Sequence, residues 1–149
     1  MNNITITTST KKTLNLTTPD GQHLGVVTVD PGDFSIVQRY NEVTENLNKL
    51  CVKHAKQNSD LKKAAAAMKQ LEAGVKEQVN YLLGYDATAD IFGVLGALHM
   101  NDEGVFFFQQ VINGVGAFIS EEVANRTANR FTPEQLEQIE KATAKYKNR

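Results

Sequence analysis

The stretch HLGVVTVDPGDFSIVQRYNEVTENLNKL, residues 23–50, decides the fold of this chain because the spacing of its apolar residues changes once along it. Up to Val29 the residues are β-branched or alternate between apolar and polar, which is typical of a strand. From Ile36 to Leu50 apolar residues recur at every third or fourth position, which is typical of one face of a helix. Between the two lies Asp-Pro-Gly-Asp, a turn whose last residue, Asp33, is suited to cap a helix. The stretch therefore predicts a strand that leads directly into a long helix.

The residues before this stretch predict the other half of a β-hairpin. TLNLTT (residues 13–18) alternates polar and apolar residues, and Pro-Asp-Gly (residues 19–21) separates it from the next strand as a turn. A two-stranded hairpin is only marginally stable alone, so this one should pack against helices or against another subunit. We expect Leu14 and Leu16 to share a face with Leu24 and Val26, Val27 and Val29 to lie on the other face, and Ile4 and Ile6 to form a further short strand.

Further helical segments follow the first helix. An apolar stripe and a run of alanines predict a helix over residues 60–83, and the short Asn-Ser-Asp connection before it favours an antiparallel helical pair. Residues 87–100 can form a short, glycine-containing helix. Residues 105–128 predict a longer helix, whose apolar face is formed by Phe108, Val111, Ile112, Val115, Phe118 and Ile119.

The last helix has the clearest start signal. Thr132 is suited to the N-cap, Pro133 follows at the first helical position, and Gln135 completes a capping box. Phe131 and Leu136 occupy the two positions of a hydrophobic staple. The apolar positions of this helix are sparse, so it is either peripheral or completed by a partner.

Together these segments predict a mainly α fold, with a short N-terminal β-hairpin followed by a bundle of about five α-helices. We expect a single domain over residues 1–149, with a β-hairpin arm at 1–32, a helical core at 33–130 and a C-terminal helix at 131–149.

The composition narrows the classes of function. The formal net charge of −1 disfavours nucleic acid as the main partner, because neutralising phosphates requires a basic patch. The N-terminus has neither the basic start nor the apolar run of a signal peptide, and no segment approaches the roughly 20 apolar residues of a membrane helix. The single cysteine, Cys51, fits a reducing compartment. We therefore expect a cytoplasmic protein with no nucleic-acid or membrane partner.

Residues that could carry chemistry are few and scattered. The three histidines, His23, His54 and His99, do not form a metal-binding pair such as HExxH. Cys51 has no expected base beside it, because a helix directs adjacent side chains to different faces. The NGVGAF segment lacks the spacing of a phosphate-binding loop, so its glycines are better explained by close helix packing. We expect no catalytic residue, no metal ion and no cofactor.

Residues 83–119 hold six glycines and five phenylalanines and carry no charge after Glu103. Each residue of a helix turns by about 100°, so three consecutive phenylalanines cannot all face one core. Phe106 is expected on the polar side of the helix, where it is either covered by its own chain or serves as an anchor for a partner. The candidate protein-interaction residues are Phe92, Phe106, Phe107, Leu136 and Ile139.

The order of these segments resembles that of the small tail assembly chaperones of long-tailed (siphovirus-type) bacteriophages, especially those of Gram-positive hosts. The resemblance covers most of residues 20–122. It is carried by DFSIVQRYNEVTENLNKL, then LGYDATADIFG, then an aromatic helix that ends in VINGVGAFISEE. The telling residues are Gly84, Ala89, Ile91, Phe92 and Gly93.

The resemblance implies a non-enzymatic, mostly α-helical protein that self-associates. It implies binding to the tape-measure protein and recruitment of tail-tube subunits in the host bacterial cytoplasm, followed by release, so that the finished virion lacks the protein. Two other classes stay open: a helical ligand-binding or regulatory protein with a pocket near the glycines, and a structural subunit of a tail or capsid.

Overall fold

The computed structural model describes residues 2–54, 60–130 and 132–147. It is about 60% helical, and the predicted fold class, an N-terminal hairpin followed by about five helices, is confirmed. The elements are β1 (Lys12–Thr17), β2 (His23–Val29), α1 (Ser35–His54), α2 (Leu61–Leu83), α3 (Thr88–Phe92), α4 (Phe107–Arg130) and α5 (Pro133–Lys147).

The hairpin forms, but the predicted faces of its strands are wrong. Leu14 pairs with Val27 and Leu16 with Gly25, so these residues share the face that packs on the core. The register differs because the turn spans residues 18–22 and is preceded by an irregularity between Leu16 and Thr17, and strand alternation reveals neither feature. The further strand at Ile4 and Ile6 is also absent, since the described residues before Lys12 contain no strand.

Helices α1 and α2 form the predicted antiparallel pair. Asp33 caps α1 by accepting from the Ser35 amide at 3.1 Å, and Asp60 caps α2 by accepting from the Lys62 amide at 2.9 Å. Gly84 ends α2 in the left-handed conformation with φ of 79°, which a residue with a side chain rarely adopts. Between the helices, the Arg39 guanidinium donates to the carbonyl of Leu82 at 3.2 Å. The end of α2 is thereby fixed against the start of α1.

The segment between α2 and α4 is less helical than predicted. Only Thr88–Phe92 is helical, and the glycine-containing segment up to Met100 is irregular. The α3 helix lies so close to the hairpin that a side chain at Gly25 would overlap the backbone oxygens of Asp90 and Ile91. This contact fixes β2 against α3.

The core lies where the hairpin, α1, the second half of α2, α3 and the first half of α4 meet. Its buried apolar residues are Leu24, Val27, Val29, Ile36, Val43, Leu47, Leu71, Val75, Val79, Leu82, Ala87, Ile91, Ala97, Phe107, Phe108, Val111, Ile112, Val115 and Ile119. Gly116 of α4 allows the ring of Tyr40 on α1 to lie directly against the helix backbone. The close helix approach expected for the NGVGAF segment is thus found at Gly116.

Candidate interaction surfaces

The three consecutive phenylalanines lie at the start of α4 and have different environments. Phe107 and Phe108 are buried, with exposed fractions of 5% and 1%. The ring of Phe107 contacts Phe92 edge to face, with ring centres 5.8 Å apart. Phe106 is half-buried, packs on the core and stacks on Phe108 with ring centres 5.4 Å apart. In this conformation Phe107 has almost no surface to offer a partner, and Phe106 offers part of a ring.

The expectation that Phe106 lies on the polar side of a helix is wrong in its geometry. The helix begins at Phe107, and Phe106 instead forms an isolated antiparallel bridge with Met100. The amides of Phe107 and Phe108 donate to the carbonyls of His99 (2.8 Å) and Ala97 (3.1 Å). These acceptors belong to the irregular segment before α4, and the local signal for this start that the sequence reasoning missed is Gln109, whose side chain accepts from the Phe106 amide at 2.9 Å. A role of Phe106 in binding stays a prediction.

A groove runs between α1 and the first turns of α4, and we call it the α1–α4 groove. Its volume is about 330 Å³. Burial raises the pKa of the Cys51 thiol at its wall, so this group is a protonated, weakly polar surface at neutral pH. No charged residue lines the groove, which is formed by Thr44, Leu47, Asn48, Cys51, Gly104, Val105, Phe108, Gln109, Ile112 and Asn113.

A second groove lies beside strand β1, and we call it the β1 groove. Its volume is about 400 Å³. Its wall combines the end of β1 and the hairpin turn with the irregular segment and the start of α4. The lining residues, none of them Asp, Glu, Lys or Arg, are Asn15, Leu16, Thr17, Thr18, Pro19, Leu24, Leu95, His99, Asn101, Phe107, Gln110 and Val111.

Neither groove was predicted from the sequence. Each joins elements that are distant along the chain, so no local pattern marks it. The nearest signal was the uncharged run after Glu103, because two of the walls come from that run.

Helix α5 has the predicted capping box. The Gln135 amide donates to the Thr132 hydroxyl at 3.2 Å, and the Thr132 amide donates to the Gln135 side chain at 2.9 Å. Leu136 is half-buried, while the other described side chains of the helix are exposed. Phe131, the other half of the predicted staple, and the side chain of Ile139 lie outside what the structure describes. Leu136 is not among the described residues that pack on the core together with Phe92, Phe106 and Phe107.

The described residues contain no group of three or more His, Cys, Asp or Glu side chains placed to hold a metal ion. None of the described helices is long and apolar enough to cross a membrane. The three histidines lie on β2, at the end of α1 and in the irregular segment, so the chain does not assemble them.

Comparisons with protein-family models, with characterised proteins and with solved structures give no match for this chain.

Proposed function

We propose that this chain is a non-enzymatic tail assembly chaperone of a long-tailed bacteriophage. In this role it self-associates, binds the tape-measure protein and helps to recruit tail-tube subunits in the host cytoplasm. The proposal is supported by the resemblance over residues 20–122 and by a mainly helical fold of the size that the resemblance implies. Phage origin, partners and location are all part of the proposal.

The α1–α4 groove is the observation that carries the binding function. A long helical partner presents apolar side chains at every third or fourth position, and such a row needs a shallow apolar groove between helices. Its apolar lining combines the buried Leu47, Phe108 and Ile112 with the half-buried Cys51 and Val105. Its rim holds exposed amide side chains, Asn48 on α1 and Asn113 on α4, that can donate to and accept from a partner. An uncharged groove of this kind fits a helix edge better than it fits a charged metabolite.

The test is co-purification with the tape-measure protein that the proposal requires, which is expected to be a long coiled coil encoded beside this chain. The variant Asn48→Lys/Asn113→Lys places two desolvation-sensitive charges on the groove rim, where both side chains are exposed and the fold has no need of them. The matched control is Gln38→Lys/Asn41→Lys, which adds the same charge to exposed positions of α1 outside the groove. We expect the first variant to lose the partner and the control to keep it, with equal melting temperatures.

Retention of the partner by the groove variant would remove the groove from the proposal. A failure of the wild-type chain to bind the coiled-coil protein at all would reject the chaperone function itself. Finding the chain in purified particles would instead favour a structural subunit.

A small-molecule binding function is the second candidate, and the sizes of the two grooves favour it. Ligand sites commonly measure about 300–1,000 Å³ and are lined by aromatic side chains. The volumes of about 330 and 400 Å³ lie within this range, although each lining includes only one phenylalanine. A thermal-shift screen with small apolar and aromatic compounds separates the candidates. A hit whose stabilisation is abolished by the groove variant would favour a ligand-binding protein.

A further inference from the structure

The N-terminal arm, residues 2–11, has the sequence of a strand but forms none. Ile4 and Ile6 alternate with Asn3, Thr5 and Thr7, and no charged side chain precedes Lys11. The two isoleucines are 87% and 73% exposed. Short uncharged segments rich in β-branched residues pair readily with an open strand edge. Within the described part of the chain, this segment has no such edge beside it.

The base of the arm is fixed to the molecule. The Ser9 hydroxyl accepts from the Arg126 guanidinium at 3.2 Å. Lys12 donates to the Glu122 carboxylate at 3.0 Å, and this hydrogen bond is the main reason that the pKa of Glu122 is lowered. The arm therefore leaves the body from a position anchored on α4.

The arm also continues in line with β1 and does not fold back. Lys12 lies opposite Val29 in the hairpin, and Ser9, three residues earlier, lies against Gly32, three residues later. Gly32 belongs to the turn after β2, in which the Asp33 amide donates to the Asp30 carbonyl, so the arm passes this turn at Ser9. The residues before Ser9 consequently run past the end of β2, away from the hairpin turn.

The outer edge of β1 is open, whereas that of β2 is covered. On β2 the Thr28 amide points outward and donates to the Tyr85 hydroxyl at 2.9 Å. In an antiparallel ladder the residue opposite an outward-pointing residue also points outward, so the amides of Thr13 and Asn15 lie on the free edge of β1. Among the described residues, none accepts a hydrogen bond from either amide.

The β1 groove runs beside this free edge. Its apolar lining includes the half-buried Leu16 and Leu95, and it has no Asp, Glu, Lys or Arg. Residues 2–10 of the arm carry no charged side chain either, so this part of the arm matches the groove in polarity. A strand added to the edge of β1 would place alternate side chains over this groove, as in β-strand addition.

We propose that the arm of one copy of this chain adds as a third strand to the β1 edge of a second copy, with Ile4 and Ile6 covering the β1 groove. The arm cannot reach the groove of its own chain while Ser9 is anchored. From Ser9, an extended chain reaches Ile4 within about 18 Å, whereas Leu16 lies about 23 Å along β1. Exchange in both directions gives a closed two-fold dimer.

The arm is tested with two variants that place the same two charges on opposite faces of the arm. Ile4→Asp/Ile6→Asp removes the apolar face, and Thr5→Asp/Thr7→Asp adds the same charge to the opposite face; all four positions are exposed, so folding is unaffected. We measure the dimer dissociation constant by light scattering across a dilution series of the full chain. The isoleucine variant should raise this constant by at least about tenfold, since two large apolar side chains lose their burial. The threonine variant should raise it much less.

The receiving edge is tested separately. Asn15→Pro removes an outward amide and leaves the ladder bonds to β2 intact, while Asn15→Ala keeps that amide. Weakening by Asn15→Pro alone, with an unchanged melting temperature, is the expected result. A wild-type chain that stays monomeric at high concentration overturns the proposal, and so does a dimer that the isoleucine variant leaves intact or that both charge pairs weaken equally. If Asn15→Pro lowers the melting temperature, its effect on the dimer is not used, and the two arm variants alone decide whether the proposal holds.

This inference concerns the self-association that the proposed function includes, but its test uses only the purified chain. A negative result here would leave binding to the coiled-coil partner untouched, and failure of that binding would leave the strand exchange intact.

Discussion

Helices α4 and α5 are stabilised by opposite means. At the start of α4 the amides of Phe107 and Phe108 donate to the carbonyls of His99 and Ala97, and the first turns of the helix are buried in the core. The start of α5 is capped entirely by Thr132 and Gln135, while its described side chains are exposed apart from half-buried Leu136. One helix thus depends on tertiary contacts and the other on its own sequence.

The difference separates two properties that are easily confused. A capping box fixes where a helix begins, because it satisfies amides that would otherwise lack partners. Burial of apolar surface determines how strongly the helix is held, since most helical stability in proteins comes from packing. The sharpest local signal in this chain therefore marks the helix that contributes least to the core.

The largest effect is expected from truncating the buried end of α4. Phe108→Ala should lower the free energy of unfolding by about 3–5 kcal/mol, because the Phe108 side chain is only 1% exposed and its removal leaves a cavity in the core. Chemical denaturation monitored by circular dichroism measures this change in the free energy of unfolding. The matched control is Phe34→Ala. The Phe34 side chain is 47% exposed, so this substitution should lower the free energy of unfolding much less. Equal losses for both would mean that α4 is not held by its buried face.

Substitutions at two glycines in α4 should have smaller effects on stability, and they test the contact between α1 and α4 specifically. Gly114 has open space where a side chain would be, so Gly114→Ala should stabilise the protein by about 1 kcal/mol through helix propensity. At Gly116 a methyl group would overlap the ring of Tyr40, with Cε2 at 2.8 Å. Overpacking commonly costs about 1–3 kcal/mol, so Gly116→Ala should be destabilising despite the same gain in propensity.

The control for this pair changes the neighbour. Adding Tyr40→Phe to Gly116→Ala removes the hydroxyl, which lies nearest to the new methyl group, and should recover part of the loss in denaturation experiments. If Gly116→Ala alone proves as stable as Gly114→Ala, the close contact between α1 and α4 does not exist in solution.

Much of the fold followed from local patterns. The change in apolar spacing near Asp33, the cap at Asp33, the extent of α2 and the capping box at Thr132 are read from a few neighbouring residues each, and the structure has them all. The register of the hairpin and the start of α4 were wrong. Both depend on residues that come together only in the folded chain, such as Gly25 against α3 and Phe107 on His99.

The candidate binding surfaces were harder to foresee for the same reason. Sequence spacing indicated that three consecutive phenylalanines could not all face one core, yet all three pack on it, because Phe106 lies before the helix. It did not indicate that Phe106 precedes the helix and stacks on Phe108. The grooves arise between β1, α1 and α4, and their shape depends on how these elements pack.

The smallest effect on global stability is expected at the start of α5. Thr132→Ala removes the hydroxyl that accepts from the Gln135 amide and should destabilise the helix by about 1 kcal/mol. Because the described side chains of α5 are almost all exposed, this loss should appear as local opening. Amide hydrogen exchange in the first turns of α5 should accelerate about fivefold, while the global melting temperature stays constant.

Two further variants decide whether the capping box alone explains that result. Thr132→Ser keeps an accepting hydroxyl and should restore slow exchange, whereas Gln135→Ala removes only the reciprocal bond to the Thr132 amide and should have an intermediate effect. A clear drop in the melting temperature of Thr132→Ala would contradict the comparison, because it would mean that α5 unfolds together with the core. If α5 docks only within an assembly, Thr132→Ala should instead weaken that assembly while the isolated chain melts as before, since the cost of ordering the helix would then be added to binding.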